Sequence, residues 1–243
     1  MLNLFKIAVL LVGVAIASAL AAAPKPVSPT LENVTGADAP SLSVGLKRAA
    51  GAGWDLALGV TNFQFAPSAA AAAAVAGEGR AMIALDRNKP TMVSGPTYHL
   101  DALPAGIHQL DVGLYTDDGK LYARDGQPVA ERIFIRSGKT KPAATAPADP
   151  TTVDFALAKN KATATGGTLN AGTIRFQQGD LIRLRWTTDE AMVLHLHGYD
   201  IEGDIAAGVP ASMVFDADLA GRFPTERHGT KPVTLVYVEV YPK

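Results

Sequence analysis

The sequence predicts an all-β protein built from two β-sandwiches in series, and three observations lead there. Short runs of alternating apolar and polar residues recur along the chain, Gly-, Pro- and Asp-containing turns separate them, and no amphipathic helix interrupts them. A Pro/Ala/Thr stretch then splits the succession of strands into two groups of ordinary domain size.

The chain opens with one early cation, Lys6, an apolar run from Ile7 to Ala17, and the small-residue series Ala17-Ser18-Ala19-Leu20-Ala21-Ala22-Ala23 before Pro24. That order predicts a signal peptide over residues 1–21, removed by cleavage. A membrane span would need about 20 predominantly apolar residues with polar flanks, whereas this run decays into Ala and Pro. The mature chain is therefore expected to be periplasmic or secreted, with no stable membrane anchor. Residues 22–45, rich in Pro, Ser, Thr and Asn over Pro26–Ala39, are expected as a disordered lead-in. Residues 137–150 (Ser137 to Pro150) read as a semi-rigid linker. These breaks leave a first domain over 46–136 and a second over 151–243.

In the first domain, Trp54–Val60, Ala81–Leu85, Gly106–Tyr115 and Pro128–Ile135 have strand character, with a turn at Asp117-Asp118-Gly119. Ser68–Ala76 is nearly all alanine and reads as a loop or a short helix. The second domain offers Val153–Ala158, Thr173–Gln177, Asp180–Thr187, Val193–Gly198, Ala211–Asp216 and Val233–Tyr241. Trp54 and Trp186 each interrupt an apolar run and are expected in the cores.

Composition narrows the chemistry. The formal net charge is −1, from 22 basic and 23 acidic residues, so neither nucleic acid nor an anionic membrane is indicated as a partner. There is no cysteine, which excludes thiol nucleophiles, iron–sulfur clusters and thiolate metal sites. The absence of disulfides also means that both sandwiches must stand on their hydrophobic cores. No Gly-x-Ser-x-Gly, P-loop, dinucleotide fingerprint or His-Glu-x-x-His is present.

Three of the five histidines fall in two short motifs, His195-Leu196-His197-Gly198-Tyr199-Asp200 and Gly221-Arg222-Phe223-Pro224-Thr225-Glu226-Arg227-His228-Gly229. On a strand, positions i and i+2 share a face, so His195 and His197 project together; if the second motif is extended, so do Glu226 and His228. Three imidazoles and a carboxylate suit Cu(II), Zn(II) or Ni(II). An equally available reading makes these rings structural, hydrogen-bonded at the end of a barrel, with Glu226 paired to Arg222 or Arg227. Asp200, Glu202 and Asp204 lack the full calcium-loop spacing and read as a solvated turn.

From about Val153 to Lys243 the second domain resembles the cupredoxin fold, a Greek-key sandwich. The similarity lies in Gly172-Thr173-Ile174-Arg175-Phe176-Gln177-Gln178-Gly179-Asp180-Leu181-Ile182-Arg183-Leu184, then the His-bearing strand, then the Gly-x-Phe segment leading to His228. It is more specifically similar to exported bacterial cupredoxin-like proteins carrying His-Leu-His-Gly-Tyr-Asp and Gly-Arg-Phe-Pro-x-Glu-x-His. The resemblance implies a metal site at His195, His197, Glu226 and His228. Glu226 occupies the region where blue-copper relatives carry cysteine, so the implied centre is type 2 and lacks the thiolate that a blue-copper electron-transfer centre uses. Copper(II) ranks first, heading the affinity order for nitrogen and oxygen donors, and zinc second. The first domain looks like an exported β-sandwich module whose relatives carry His-x-His after Gly77-Glu78-Gly79; here Arg80 and Met82 take those places. His108 is expected on a polar strand face and His99 in a loop.

The function that follows is periplasmic metal binding, for sequestration, delivery or sensing. Two others fit the same residues: an interaction module docking an envelope protein with structural histidines, and a metalloenzyme using an open coordination position. No further acid, base or substrate pocket can be named for the enzyme.

Overall fold

A computed structural model describes residues 29–50, 52–66, 74–138 and 148–243. The expected signal peptide, most of the alanine-rich run and most of the linker lie outside the described residues.

The first part of the chain forms β1 (Leu31–Val34), β2 (Ser41–Arg48), β3 (Trp54–Thr61), β4 (Gln64–Phe65), β5 (Glu78–Leu85) and β6 (Thr91–Val93). It continues with β7 (Thr97–Leu100), β8 (Gly106–Tyr115), β9 (Leu121–Arg124), β10 (Gln127–Pro128) and β11 (Ala130–Ser137). The second part forms β12 (Thr151–Ala158), β13 (Lys161–Thr165), β14 (Thr173–Gln177), β15 (Leu181–Thr188) and β16 (Met192–Leu196). The last four strands are β17 (Ile201–Ile205), β18 (Ala211–Asp216), β19 (Gly221–Arg227) and β20 (Val233–Tyr241). Among the described residues the only helical element is a single 3-10 turn at Gly36–Asp38, and no helix is long and apolar enough to cross a membrane. The fold class is the expected one, all-β with two sandwiches.

Alternation decides which face each strand buries. In β3, Trp54, Leu56 and Leu58 are buried while Asp55, Ala57 and Gly59 face out. The sheet β2-β3-β7 closes in this way over β1-β9-β8-β11, which β5 and β6 extend at β8. In the second sandwich, β18-β15-β12-β13 faces the five-stranded sheet β14-β20-β19-β16-β17. The chain passes back and forth between the two sheets, and two parallel pairs, β12 with β15 and β14 with β20, make the arrangement a mixed Greek key. Phe155 and Trp186 stack in its core with ring centroids 4.3 Å apart.

The sandwiches are fused rather than merely tethered. β11 of the first pairs in parallel with β18 of the second, from Arg132↔Ala211 to Ile135↔Val214, so one sheet runs through both. Ile133 and Ile135 point into the first core, and Phe134 between them enters the second. At this junction Glu131, 1 % exposed, meets Arg183, 5 % exposed. Arg183 Nη2 donates to Glu131 Oε1 at 2.5 Å, Nη1 to the Val44 carbonyl at 2.6 Å and Nε to Ser212 Oγ at 3.0 Å. Ser212 Oγ donates to the same Glu131 oxygen at 3.0 Å. Two further pairs join the halves: Arg48 Nη2 donates to both Asp216 oxygens at 2.8 Å, and Arg136 reaches Asp218 at 3.0 Å.

The expected disordered lead-in over 22–45 is corrected where it is described. β1 pairs in parallel with β9, Leu31↔Leu121 through Val34↔Arg124, and β2 buries Val44 and Leu46. A Pro/Ser/Thr/Asn-rich composition does not disclose a partner strand ninety residues downstream, and pairing satisfies the backbone regardless of composition. β9 is too short, at four residues, to show a strand period in the sequence, and β13 and β17 are short and only partly apolar. Trp54 and Trp186 are buried as expected.

Arg185 Nε also lies 3.3 Å from Glu131 Oε1, so it is the removal of Glu131 that leaves a buried charge, that of Arg183, uncompensated. Glu131→Ala is expected to lower unfolding stability by about 3–5 kcal/mol, and exchanging both residues for methionine to cost clearly less, as read by urea denaturation.

Candidate metal centre

β17, β16, β19 and β20 lie side by side, and their register sets Glu202, His195, Glu226 and Thr234 in one row: Glu202↔His195, His195↔Glu226 and Glu226↔Thr234. Leu194 and Leu196 turn into the core at 0 % exposure, which directs Val193, His195 and His197 to the outer face. A bulge in β20 changes the register between Thr225 and Glu226, making Leu235 the extra residue and bringing Glu226 opposite Thr234. His197 and His228 sit just past the ends of β16 and β19, and pairing continues through them. The His197 N–H donates to the Pro224 carbonyl at 3.0 Å and the His228 N–H to that of Val193 at 2.9 Å.

The residues after the two histidines hold the turn. Gly198 has φ +76°, and a Cβ there would lie 2.2 Å from the Phe223 ring. Tyr199 is buried against Phe215 and Phe223, and its hydroxyl donates to the Leu219 carbonyl at 2.8 Å. Burial pushes its phenol up to about 12. Asp200 then turns back toward the histidines, its Oδ1 3.3 Å from His195 Nε2.

Among the described residues, His195, His197 and His228 each offer a ligand atom within 4.8 Å of the other two. His195 Nδ1 and His228 Nε2 are 3.2 Å apart, close to the ~3.3–3.4 Å that separates two nitrogens on a tetrahedral ion with bonds of about 2.0–2.1 Å. The donor set therefore fits a nitrogen-preferring divalent metal. The side chains of His197 and His228 are 39 % and 34 % exposed and that of His195 14 %, so an ion can reach them from solvent.

Of the residues singled out from the sequence, the three histidines converge and Glu226 stands beside them. Its Oε2 lies 3.0 Å from His197 Nε2, and its Oε1 accepts from Thr234 Oγ1 at 2.8 Å. The Thr234 hydrogen bond chiefly, opposed by desolvation and helped by His197, holds its carboxyl below the usual glutamate value. It does not pair with Arg222, which stacks on the Tyr237 ring, or with Arg227, which reaches Glu190. Sequence reasoning missed Glu202, whose Oε2 is 3.1 Å from His228 Nδ1 and 3.7 Å from His195 Nδ1. A hairpin closing over residues 197–200 pairs 195 with 202, and that signal was present in the sequence.

The first sandwich holds no comparable group among the described residues. His99 lies on β7 and not in a loop, because Trp54–Ala57 of β3 draws Thr97–Leu100 into the sheet; its Nδ1 is 2.7 Å from Asp55. His108 is held by Asp86 at 2.8 Å and by the Pro104 carbonyl at 2.9 Å. Arg80 pairs with Asp117.

No protein-family model matches the chain, and no curated protein does. Among solved structures it is similar to a multicopper oxidase at 14 % identity, covering 67 % of this chain and 71 % of that one with a TM-score of 0.27. Lac15 from a marine microbial metagenome is similar at 12 % identity, over 88 % of this chain and 67 % of the other, TM-score 0.31. A multi-copper oxidase from Pseudomonas Thermotolerans is similar at 13 % identity, over 88 % of this chain and 58 % of the other, TM-score 0.28.

Two substitutions test this geometry. Gly198→Ala, forced into a left-handed backbone and against Phe223, is expected to destabilise the protein by about 1–3 kcal/mol in thermal or urea unfolding. Thr234→Val removes the main cause of the low Glu226 value. A carboxyl depressed by folding stabilises fully above its unfolded value, and that contribution is lost as pH falls through the folded value. Thr234→Val should therefore move the Glu226 titration upward, toward the ordinary range, in carboxyl carbon NMR.

Proposed function

We propose that this is an exported metal-binding protein that holds one Cu(II) ion on His195, His197 and His228 with Glu226 alongside, for sequestration, delivery or sensing in the periplasm. The observation that carries this reading is the convergence of three imidazoles from two neighbouring strands, His195 and His197 from β16 and its end and His228 from the end of β19, with ligand atoms mutually within 4.8 Å. The resemblance of the second half to cupredoxins and the export-like N-terminus support it. Copper leads because it heads the divalent affinity order at imidazole and carboxylate donors, and zinc stands second. With no cysteine in the chain, a bound copper would be type 2 in its spectrum rather than blue.

One observation favours a second reading. Asp200, Glu202 and Glu226 already offer each ring a carboxylate partner, which would make the histidines structural and the protein a module that docks an envelope partner.

Purified mature protein is expected to take up one equivalent of Cu(II) with a type 2 electron paramagnetic resonance signal. Free Cu(II) at 100 times the Kd should add about 2.7 kcal/mol of stability. His195→Ala combined with His197→Ala should abolish both effects. No uptake and no stabilisation by Cu(II) or Zn(II) would favour the docking module.

A further inference from the structure

The two closest nitrogens of the triad, His195 Nδ1 and His228 Nε2, are 3.2 Å apart. On each ring the opposite nitrogen faces a carboxylate: Asp200 Oδ1 lies 3.3 Å from His195 Nε2, and Glu202 Oε2 lies 3.1 Å from His228 Nδ1. An ionised carboxylate only accepts hydrogen bonds, so it favours the ring proton on the nitrogen that faces it. Glu202 Oε2 also lies 3.7 Å from His195 Nδ1, farther than Asp200 lies from His195 Nε2, so in the neutral rings both inner nitrogens present lone pairs toward each other. Two lone pairs at that distance repel, and a cation beside both of them turns the repulsion into ligation. His197 follows the same pattern: its Nε2 faces Glu226, and its Nδ1 has no protein hydrogen bond among the described residues.

Glu202 stands on β17, the edge strand of its sheet, and the first sandwich holds that strand in place. A Cβ on Gly203 would lie 2.0 Å from Phe134 Cζ, so the strand can lie this close to Phe134 only because position 203 is glycine. Phe134, 3 % exposed, comes from β11, and Arg132 of the same strand donates through Nη1 to the Asp204 carbonyl at 3.0 Å.

We infer that Glu202 is a positioning residue, fixing His228 as the Nδ1–H tautomer with Nε2 aimed at the shared ion, and that the first sandwich serves the site by seating β17 through Phe134 and Arg132. The use made of that tautomer rests on the metal-binding reading; the tautomer itself does not. The carboxylates thus form an outer set around three ligating imidazoles, and Glu226 belongs to this set rather than to the ion.

The test begins on metal-free protein at alkaline pH, where long-range proton–nitrogen NMR reads the tautomer of each ring. Wild-type His228 is expected as Nδ1–H. Glu202→Ala should shift it toward Nε2–H, while Glu202→Gln, whose amide oxygen still accepts, should retain it. Cu(II) titration of Glu202→Ala should show about 10–100-fold weaker binding at unchanged one-ion stoichiometry, with altered copper hyperfine splitting. Phe134→Leu, which touches no ring, should move both readouts in the same direction. If wild type shows the Nδ1–H tautomer but takes up no Cu(II), the metal reading fails and the positioning role stands. Copper uptake with tautomer and affinity both unmoved by Glu202→Ala overturns the positioning role. Complete loss of copper with the tautomer intact overturns it too, by placing Glu202 on the ion. An unmoved Phe134→Leu overturns the part given to the first sandwich.

Discussion

Glu131 holds a carboxylate at a place with almost no access to water, and the junction between the sandwiches is built around neutralising it. Arg183 comes from the second sandwich, Ser212 from the neighbouring strand, and the Val44 backbone from the first. A buried charge is tolerated only when its partners are all in place, so the pair commits four strands from both halves to one geometry. Such pairs do not maximise stability, since apolar residues of similar volume often do as well. What this one fixes is where β11 lies against β18. From β11 follow Phe134 in the second core and Arg132 on β17, and from β17 follows the carboxylate beside the imidazoles.

The candidate centre is a product of sheet arithmetic. Adjacent strands lie about 4.7–4.9 Å apart and side chains repeat every second residue, so the row through His195 brings in His197 and His228, which continue the pairing just past the ends of β16 and β19. The motif His195-Leu196-His197-Gly198-Tyr199-Asp200 divides its labour accordingly. The two histidines face out, Leu196 faces in, Gly198 permits the turn over Phe223, Tyr199 pins that turn through the Leu219 carbonyl, and Asp200 returns to the first ring. Only the histidines and Asp200 face the candidate centre; the rest hold the turn that places them.

Strong alternation made β3, β8, β15 and β20 legible in the sequence, as did the same-face placement of His195 with His197. The convergence of His228 on them was legible only on the assumption that its segment is extended, which β19 satisfies. What stayed hidden is what depends on distant partners. β1 pairs with a strand far along the chain, β11 crosses to β18, and Phe134 sits against Gly203; none of these leaves a local pattern. Glu202 was hidden for a different reason. Its acidic neighbours Asp200 and Asp204 made the segment read as a solvated turn, whereas pairing of residue 195 with residue 202 across the hairpin puts its carboxylate at the site. The role of Glu226 likewise depended on Thr234, which reaches it only because Leu235 bulges from β20.

β17 ends its sheet, and a bare sheet edge invites another chain to add a strand. Here Glu202 and Asp204 place two negative charges on the strand, and Arg132 occupies the Asp204 carbonyl. A second copy approaching edge to edge would meet like charge and a backbone acceptor already taken. Of these two carboxylates Glu202 also faces the imidazoles, so substitutions neutralising Glu202 and Asp204 together would strip charge from the site and from the sheet edge at once.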